Sequence, residues 1–156
     1  ARSEMCIRDR MEGVTTSALV PPLAQAWVAS AEKRGVSLPS LQTLQVGGSK
    51  LAPAVAGKIE SVLGCTVQQV FGMAEGLVNY TRSTDPIEMR LRTQGYPISP
   101  DDEILIVDDQ DQPVKRGESG HLLTRGPYTI RGYYLEENAN RYGFTEDGFY
   151  RTGDIV

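Results

Sequence analysis

Between Val14 and Val70, three short apolar runs alternate with two segments of helical spacing, and this rhythm constrains the fold more than any other feature. Val14–Val20 reads as a buried strand stopped by Pro21-Pro22. Leu23, Trp27 and Ala31 then recur at helical spacing, which predicts a helix from about Leu23 to Arg34 with Trp27 in the core. Gly35–Ser40, rich in Gly, Ser and Pro, is a connector. Leu41–Val46 is the next strand, left through the turn Gly47-Gly48-Ser49-Lys50. Pro53 near the first turn and Gly64 just past the end frame a second helix, in which Val55, Ile59, Val62 and Leu63 form one apolar stripe. Thr66–Val70 is the third strand. A β-α-β-α-β order implies parallel strands joined by right-handed crossovers, with ligands expected beyond the C-terminal strand ends. Gly47-Gly48 and the loop Phe71–Gly76 fall there.

The texture changes after about Tyr80, where Pro86, Pro97, Pro100, Pro113 and Asp-rich turns punctuate short strands. Glu103–Val107 and Gly120–Thr124 read as an antiparallel pair. The expected fold class is therefore α/β: a parallel βαβ layer followed by a small β-rich subdomain. Residues 13–84 form the first part and residues 85–156 the second. Residues 1–12 read as a non-native or disordered leader, because Ala1–Arg10 has neither helical nor strand period and looks like a translated adapter sequence.

Composition narrows the function mainly by exclusion. A net charge of −4 without any Lys/Arg run speaks against a nucleic-acid partner. No apolar stretch approaches the roughly 20 residues that span a bilayer. The first ten residues carry charges throughout and lack the apolar core of a secretory signal, so the expected compartment is the cytoplasm. Cys6 and Cys65 have no partner at redox or zinc spacing, and Cys65 reads as a small core residue. His121 sits in an alternating strand without a triad signature, and Lys50 lacks the phosphate-loop frame around it. Both read as ordinary structural or surface residues.

The chemistry concentrates in two stretches. Gln69-Val70-Phe71-Gly72-Met73-Ala74-Glu75-Gly76 places one carboxylate in a glycine-bounded loop after an apolar strand, and Tyr150-Arg151-Thr152-Gly153-Asp154 places another at the end of an aromatic-Gly turn. Loops at strand ends are where α/β proteins build nucleotide sites. With Gly47-Gly48-Ser49-Lys50 before them, and Gly120-His121-Leu122-Leu123-Thr124-Arg125-Gly126 and Arg131-Gly132-Tyr133-Tyr134 between them, the motifs occur in the order found in adenylate-forming enzymes. The chain resembles that family over nearly all of residues 13–156. The wording of Gln69–Arg82 and of Thr124–Tyr133 is similar to the 2,3-dihydroxybenzoate–AMP ligases, with salicylate-activating ligases as the sister group.

The resemblance implies a set of roles. Glu75 would hold Mg2+, a hard cation that takes one or two carboxylates together with phosphate oxygens. Asp154 would accept the ribose hydroxyls of ATP, since a carboxylate offers only acceptors. Gly47, Gly48, Phe71, Gly72, Met73 and Ala74 would line the nucleotide, with Phe71 facing adenine. Ala74 departs from relatives that carry a hydroxyl for a phosphate oxygen, and marks the dihydroxybenzoate subgroup. Gln45, Gly47, Val70, Val78 and Asn79 would line the acyl pocket. None of these is an acid able to meet an amino-acid ammonium, which favours an aryl acid. The implied reaction is ATP-dependent activation of that acid, then transfer to the phosphopantetheine thiol of an aryl carrier protein in siderophore biosynthesis. The phosphate loop, hinge and catalytic lysine of the family are not in this sequence. The chain therefore reads as an internal fragment, inactive by itself; an acyl-CoA ligase fragment and a non-catalytic truncated product are the alternatives.

Overall fold

The computed structural model describes residues 11–156. Cys6 and the adapter-like stretch Ala1–Arg10 lie outside the described residues. Among the described residues eight strands form two sheets: a five-stranded sheet in the order β1 (Thr16–Leu19), β2 (Thr43–Gly47), β3 (Thr66–Met73), β4 (Leu77–Tyr80) and β5 (Tyr96–Pro97), and a three-stranded sheet in the order β6 (Glu103–Val107), β7 (His121–Arg125) and β8 (Tyr150–Ile155). Contacts divide the chain into two compact units. One runs up to Gly72 and includes Asn79–Tyr96; the other comprises Met73–Val78 and Pro97–Val156.

The first unit carries the parallel layer. β1 (Thr16–Leu19) pairs with β2 (Thr43–Gly47), and β2 with β3 (Thr66–Met73), both in parallel, with Gln45 opposite Gln68 and Gly47 opposite Val70. Helix α1 (Pro21–Arg34) starts on its own proline, which needs no amide donor in the first turn. It ends at Gly35, whose φ of 61° is the left-handed cap that glycine adopts without penalty. Its buried stripe of Ala24, Trp27, Val28 and Ala31 packs into the same core as Leu44 and Val46 of β2.

Helix α2 (Pro53–Lys58) continues into a π turn over Ile59–Leu63 and stops at Gly64, φ 74°. The four stripe residues behave as their spacing requires. Ile59 and Leu63 are buried, and Val55 and Val62 pack partly buried against them. Cys65 is also buried, which pushes its thiol up to about 11 and leaves it an inert packing residue.

Two features of this unit were not expected. β3 runs on through Phe71 and Gly72 to Met73, so the supposed loop after Val70 is mostly strand. A six-residue helix α3 (Ile87–Arg92) follows Pro86 and buries none of its residues, so no apolar stripe announces it. Side chains tie it down instead: buried Gln69 donates from Nε2 to Arg90 O at 2.8 Å, and Arg90 pairs with Glu60.

In the second unit, β6 (Glu103–Val107), β7 (His121–Arg125) and β8 (Tyr150–Ile155) are antiparallel. Val107, Leu123 and Phe149 form a small core. Arg125 forks onto Glu103 with two 2.8 Å bonds, and its guanidinium lies 4.4 Å from the Phe149 ring centre. Arg151 forks onto Asp111 at 2.5 and 2.7 Å. The hydrogen bonds from Arg125 and Arg151 hold Glu103 and Asp111 below the usual carboxylate range, and the Thr145 hydroxyl does the same for Asp147.

The sign follows from linkage. A carboxylate depressed on folding stabilises the fold above its unfolded pKa and loses that contribution as pH falls through the folded value. Melting temperature should therefore hold steady above about pH 4 and drop below it. Glu103→Gln and Asp111→Asn should each flatten that acid limb modestly, because the pairs are exposed. Thermal melts from about pH 5 down to about pH 2 check this; parallel acid limbs for wild type and both variants would refute it.

Candidate functional site

Each unit assembles part of the residue set that the sequence singled out. In the first unit, successive strand residues point to opposite faces. Leu44 and Val46 therefore face the buried core, while Gln45 and Gly47 face away from it, beside Gln68 and Val70 in register. Gln45 Nε2 donates to Gln68 Oε1 at 2.8 Å, which fixes the amide pair across the two strands. Gly47 is required by close approach: a Cβ there would lie 2.8 Å from Val70 O and 3.0 Å from Val70 Cβ. Gly48 follows with φ 86° and ends the strand. Gln45, Gly47 and Val70 thus share one face of adjacent parallel strands. Phe71 has the opposite parity from Val70, and Gly72 is exposed. Asn79, on β4 (Leu77–Tyr80), carries a buried Oδ1 without a hydrogen-bond partner among the described residues. Val78 precedes it and, as the next residue along a strand, points the other way.

The second unit holds the carboxylates. Ala74-Glu75-Gly76 make the turn between β3 and β4, closed by Gly76 N donating to Met73 O at 3.3 Å. The backbone is pinned to a distant segment, because Ile130 N donates to Glu75 O at 2.8 Å. Gly76 has φ 138° and packs so closely on Thr129 that a Cβ would come within 2.3 Å of the Thr129 Cα. This is why a glycine follows Glu75. The Tyr133 hydroxyl donates to Glu75 Oε1 at 2.9 Å and lies 3.0 Å from the Tyr150 hydroxyl. Phe144 packs on both rings, with centroids 6.2 Å from Tyr133 and 5.3 Å from Tyr150. The part played by these two tyrosines was missed from sequence, although both stood inside motifs already singled out.

Asp154 is not in a turn. Tyr150–Ile155 is a strand, and Gly153 (φ 79°) bends it where the β7–β8 register shifts. The Asp154 carboxylate is exposed, and its amide donates to Thr152 Oγ1 at 3.0 Å. Arg151 pairs with Asp111. His121 contacts Asp109 at 2.8 Å on the surface. Lys50 is exposed, in keeping with a surface role.

Glu75, with one oxygen held by Tyr133 and the other without a partner among the described residues, suits Mg2+ sharing its shell with phosphate oxygens. Among the described residues no group of three or more His, Cys, Asp or Glu could cage a metal by itself.

Residues 6–134 match the family profile described as AMP-binding enzyme. The chain belongs to the AMP-binding enzyme family. Its α/β architecture is that of the N-terminal domain of adenylate-forming enzymes. This AMP-binding chain is 63% identical over 145 residues to the 2,3-dihydroxybenzoate-AMP ligase of Bacillus subtilis (strain 168), covering 93% of the chain and 27% of that protein. It is 59% identical over 146 residues to a salicylyl-CoA synthase / salicylate adenylyltransferase of Streptomyces sp, covering 93% of the chain and 26% of that protein. The solved apo structure of Mycobacterium smegmatis MbtA matches with TM-score 0.91 and 48% identity, over 99% of this chain and 28% of that one. The AMP-binding chain therefore spans about a quarter of the length of the relatives it matches. Among its described residues no helix is long and apolar enough to cross a membrane.

Proposed function

We propose that the chain is part of a cytoplasmic ligase that activates an aryl acid, 2,3-dihydroxybenzoate or salicylate, with ATP. The observation that carries the proposal is Glu75, fixed in a strand-to-strand turn with one carboxylate oxygen on Tyr133 and the other without a partner among the described residues. Residues 13–84 supply the α/β part of the adenylating domain and residues 85–156 the β-rich part. Gly47, Gly48, Phe71, Gly72, Met73 and Ala74 line the nucleotide, and Asp154 accepts the ribose hydroxyls. Gln45, Gly47, Val70 and Asn79 line the acyl pocket, and Val78, whose side chain points the other way from Asn79, borders it through its backbone alone. The orphaned Asn79 Oδ1 supports that assignment, because a buried acceptor without a donor costs about 1–3 kcal/mol and a ring hydroxyl would satisfy it.

In the reaction the substrate carboxylate oxygen bonds to the α-phosphorus of ATP. The bond to the bridging oxygen breaks, and pyrophosphate leaves with the electron pair. The carboxylate is itself the nucleophile, so no Ser, Cys or His is needed. Glu75 would hold Mg2+, which when bound supplies charge neutralisation on the phosphate oxygens. The acyl group then passes to the phosphopantetheine thiol of an aryl carrier protein for siderophore assembly, and AMP leaves. A CoA acceptor is the second reading, favoured by the relative named as a salicylyl-CoA synthase.

The test is a complete dihydroxybenzoate ligase in which residues 13–156 replace the equivalent segment. ATP–pyrophosphate exchange should respond to 2,3-dihydroxybenzoate and salicylate above benzoate and amino acids. A well-folded chimera selective for a different acid would overturn the substrate assignment. Thioester formation with carrier protein or CoA separates the two acceptors. The 156 residues alone should give no exchange, and aryl-acid-dependent exchange from them would refute that expectation.

A further inference from the structure

We propose that Tyr133 is a positioning residue for Glu75, with Tyr150 polarising its hydroxyl and Asn140 fixing its backbone. This rests on the reading of Glu75 as the Mg2+ ligand and adds what sets that carboxylate's orientation.

Hydroxyl arithmetic gives the direction. A phenol carries one proton, and the Tyr133 proton is used on Glu75 Oε1. The Tyr133 oxygen can then only accept, so Tyr150 is the donor in the 3.0 Å contact. The run Tyr150 to Tyr133 to Glu75 is a polarised chain in which the second donor strengthens the first.

Tyr133 is itself held. The Asn140 carboxamide, on helix α4 (Glu137–Gly143), accepts from Tyr133 N at 2.6 Å and donates to Tyr133 O at 2.8 Å. It thereby stands in for a peptide group of a neighbouring strand. Gly132 makes room for it, since a Cβ there would lie 3.0 Å from Asn140 Oδ1.

The phenol is not needed to hold the turn. The Ile130 N to Glu75 O bond and the Gly76–Thr129 contact already fix the backbone. What remains for the phenol is the carboxylate: it occupies one oxygen, sets the plane and leaves the other oxygen for a cation. Such partners behind a metal ligand commonly change affinity by 10–100-fold.

The experiment uses the complete ligase carrying residues 13–156. Free Mn2+ is followed by electron paramagnetic resonance in the presence of α,β-methylene-ATP, alongside the KM for 2,3-dihydroxybenzoate. Tyr133→Phe should raise the Mn2+ Kd roughly tenfold and leave that KM unchanged. Tyr150→Phe should shift the Kd in the same direction by a smaller factor. Tyr134→Phe, at an 88% exposed neighbour, should not shift it. Glu75→Gln should weaken Mn2+ binding most.

Wild-type Mn2+ affinity in Tyr133→Phe and Tyr150→Phe, with Glu75→Gln impaired, would overturn the positioning role and leave the Glu75 reading standing. Unchanged affinity in Glu75→Gln would overturn both. If Tyr133→Phe melts early, Tyr150→Phe decides: a shifted Kd supports the role and an unshifted one removes it.

Discussion

Glu75→Gln in the complete ligase is expected to lower aryl-acid-dependent pyrophosphate exchange by about a hundredfold at saturating ATP, roughly 2.7 kcal/mol of transition-state stabilisation. Glutamine keeps the size and can still accept from Tyr133, so the variant should melt like wild type. What it lacks is the charge. A cation brought in by phosphate would then meet a neutral amide in place of a carboxylate, and the loss should appear in the rate and in the Mg2+ concentration needed. Exchange kinetics at several Mg2+ concentrations, with a melt as control, measure it. Activity within threefold of wild type at low Mg2+ would leave Glu75 a solvated turn residue and remove the observation on which the functional reading stands.

The second large effect falls on the next residue. Gly76→Ala should destabilise the unit containing it by about 3 kcal/mol or more, because two penalties add. The backbone at φ 138° is one that a side-chain-bearing residue rarely adopts. The new methyl would also press on the Thr129 Cα and N at 2.3 and 2.9 Å, and both are backbone atoms that cannot swing aside. Gly117→Ala is the matched control. It too has positive φ, 93°, but nothing lies within 4 Å of the added carbon, so only a conformational cost of about 1 kcal/mol applies. Urea melts of the two variants compare them directly. Equal losses would mean that Thr129 yields and that the turn is not locked from outside.

How much was legible in sequence depended on whether a residue's neighbours were local. The helices α1 and α2 carry their instructions within a few residues: a proline at the start, a glycine at the end and a stripe at helical spacing. Their boundaries follow closely. β6 and β7 likewise showed themselves by alternation. Helix α3 did not, because its order comes from Gln69 and Glu60, about 20 and 30 residues earlier in the chain. β8 was hidden by its glycine, which reads as a turn until β7 is known to pair with it. The same divide runs through the candidate site. Glu75, Asp154 and the glycine pair Gly47-Gly48 at the end of β2 stand in short recognisable motifs. The partner of Glu75 lies 58 residues further on, and no local pattern could reveal that contact. Arg151 shows the same limit: its fork fits Asp111, 40 residues away, and no local pattern names that partner.

Helix α4 has a consequence for motion. It is seven residues long and buries none of them, so propensity and packing alone would leave it among the easily opened parts of the fold. Yet its Asn140 holds the backbone of Tyr133 on both sides. Each brief unwinding of residues 137–143 would release that grip, and with it the constraint on the Glu75 carboxylate. The share of time the carboxylate spends misaimed is then tied to the opening equilibrium of one short surface helix. Amide exchange there would act as a clock for the readiness of a group elsewhere in the same unit.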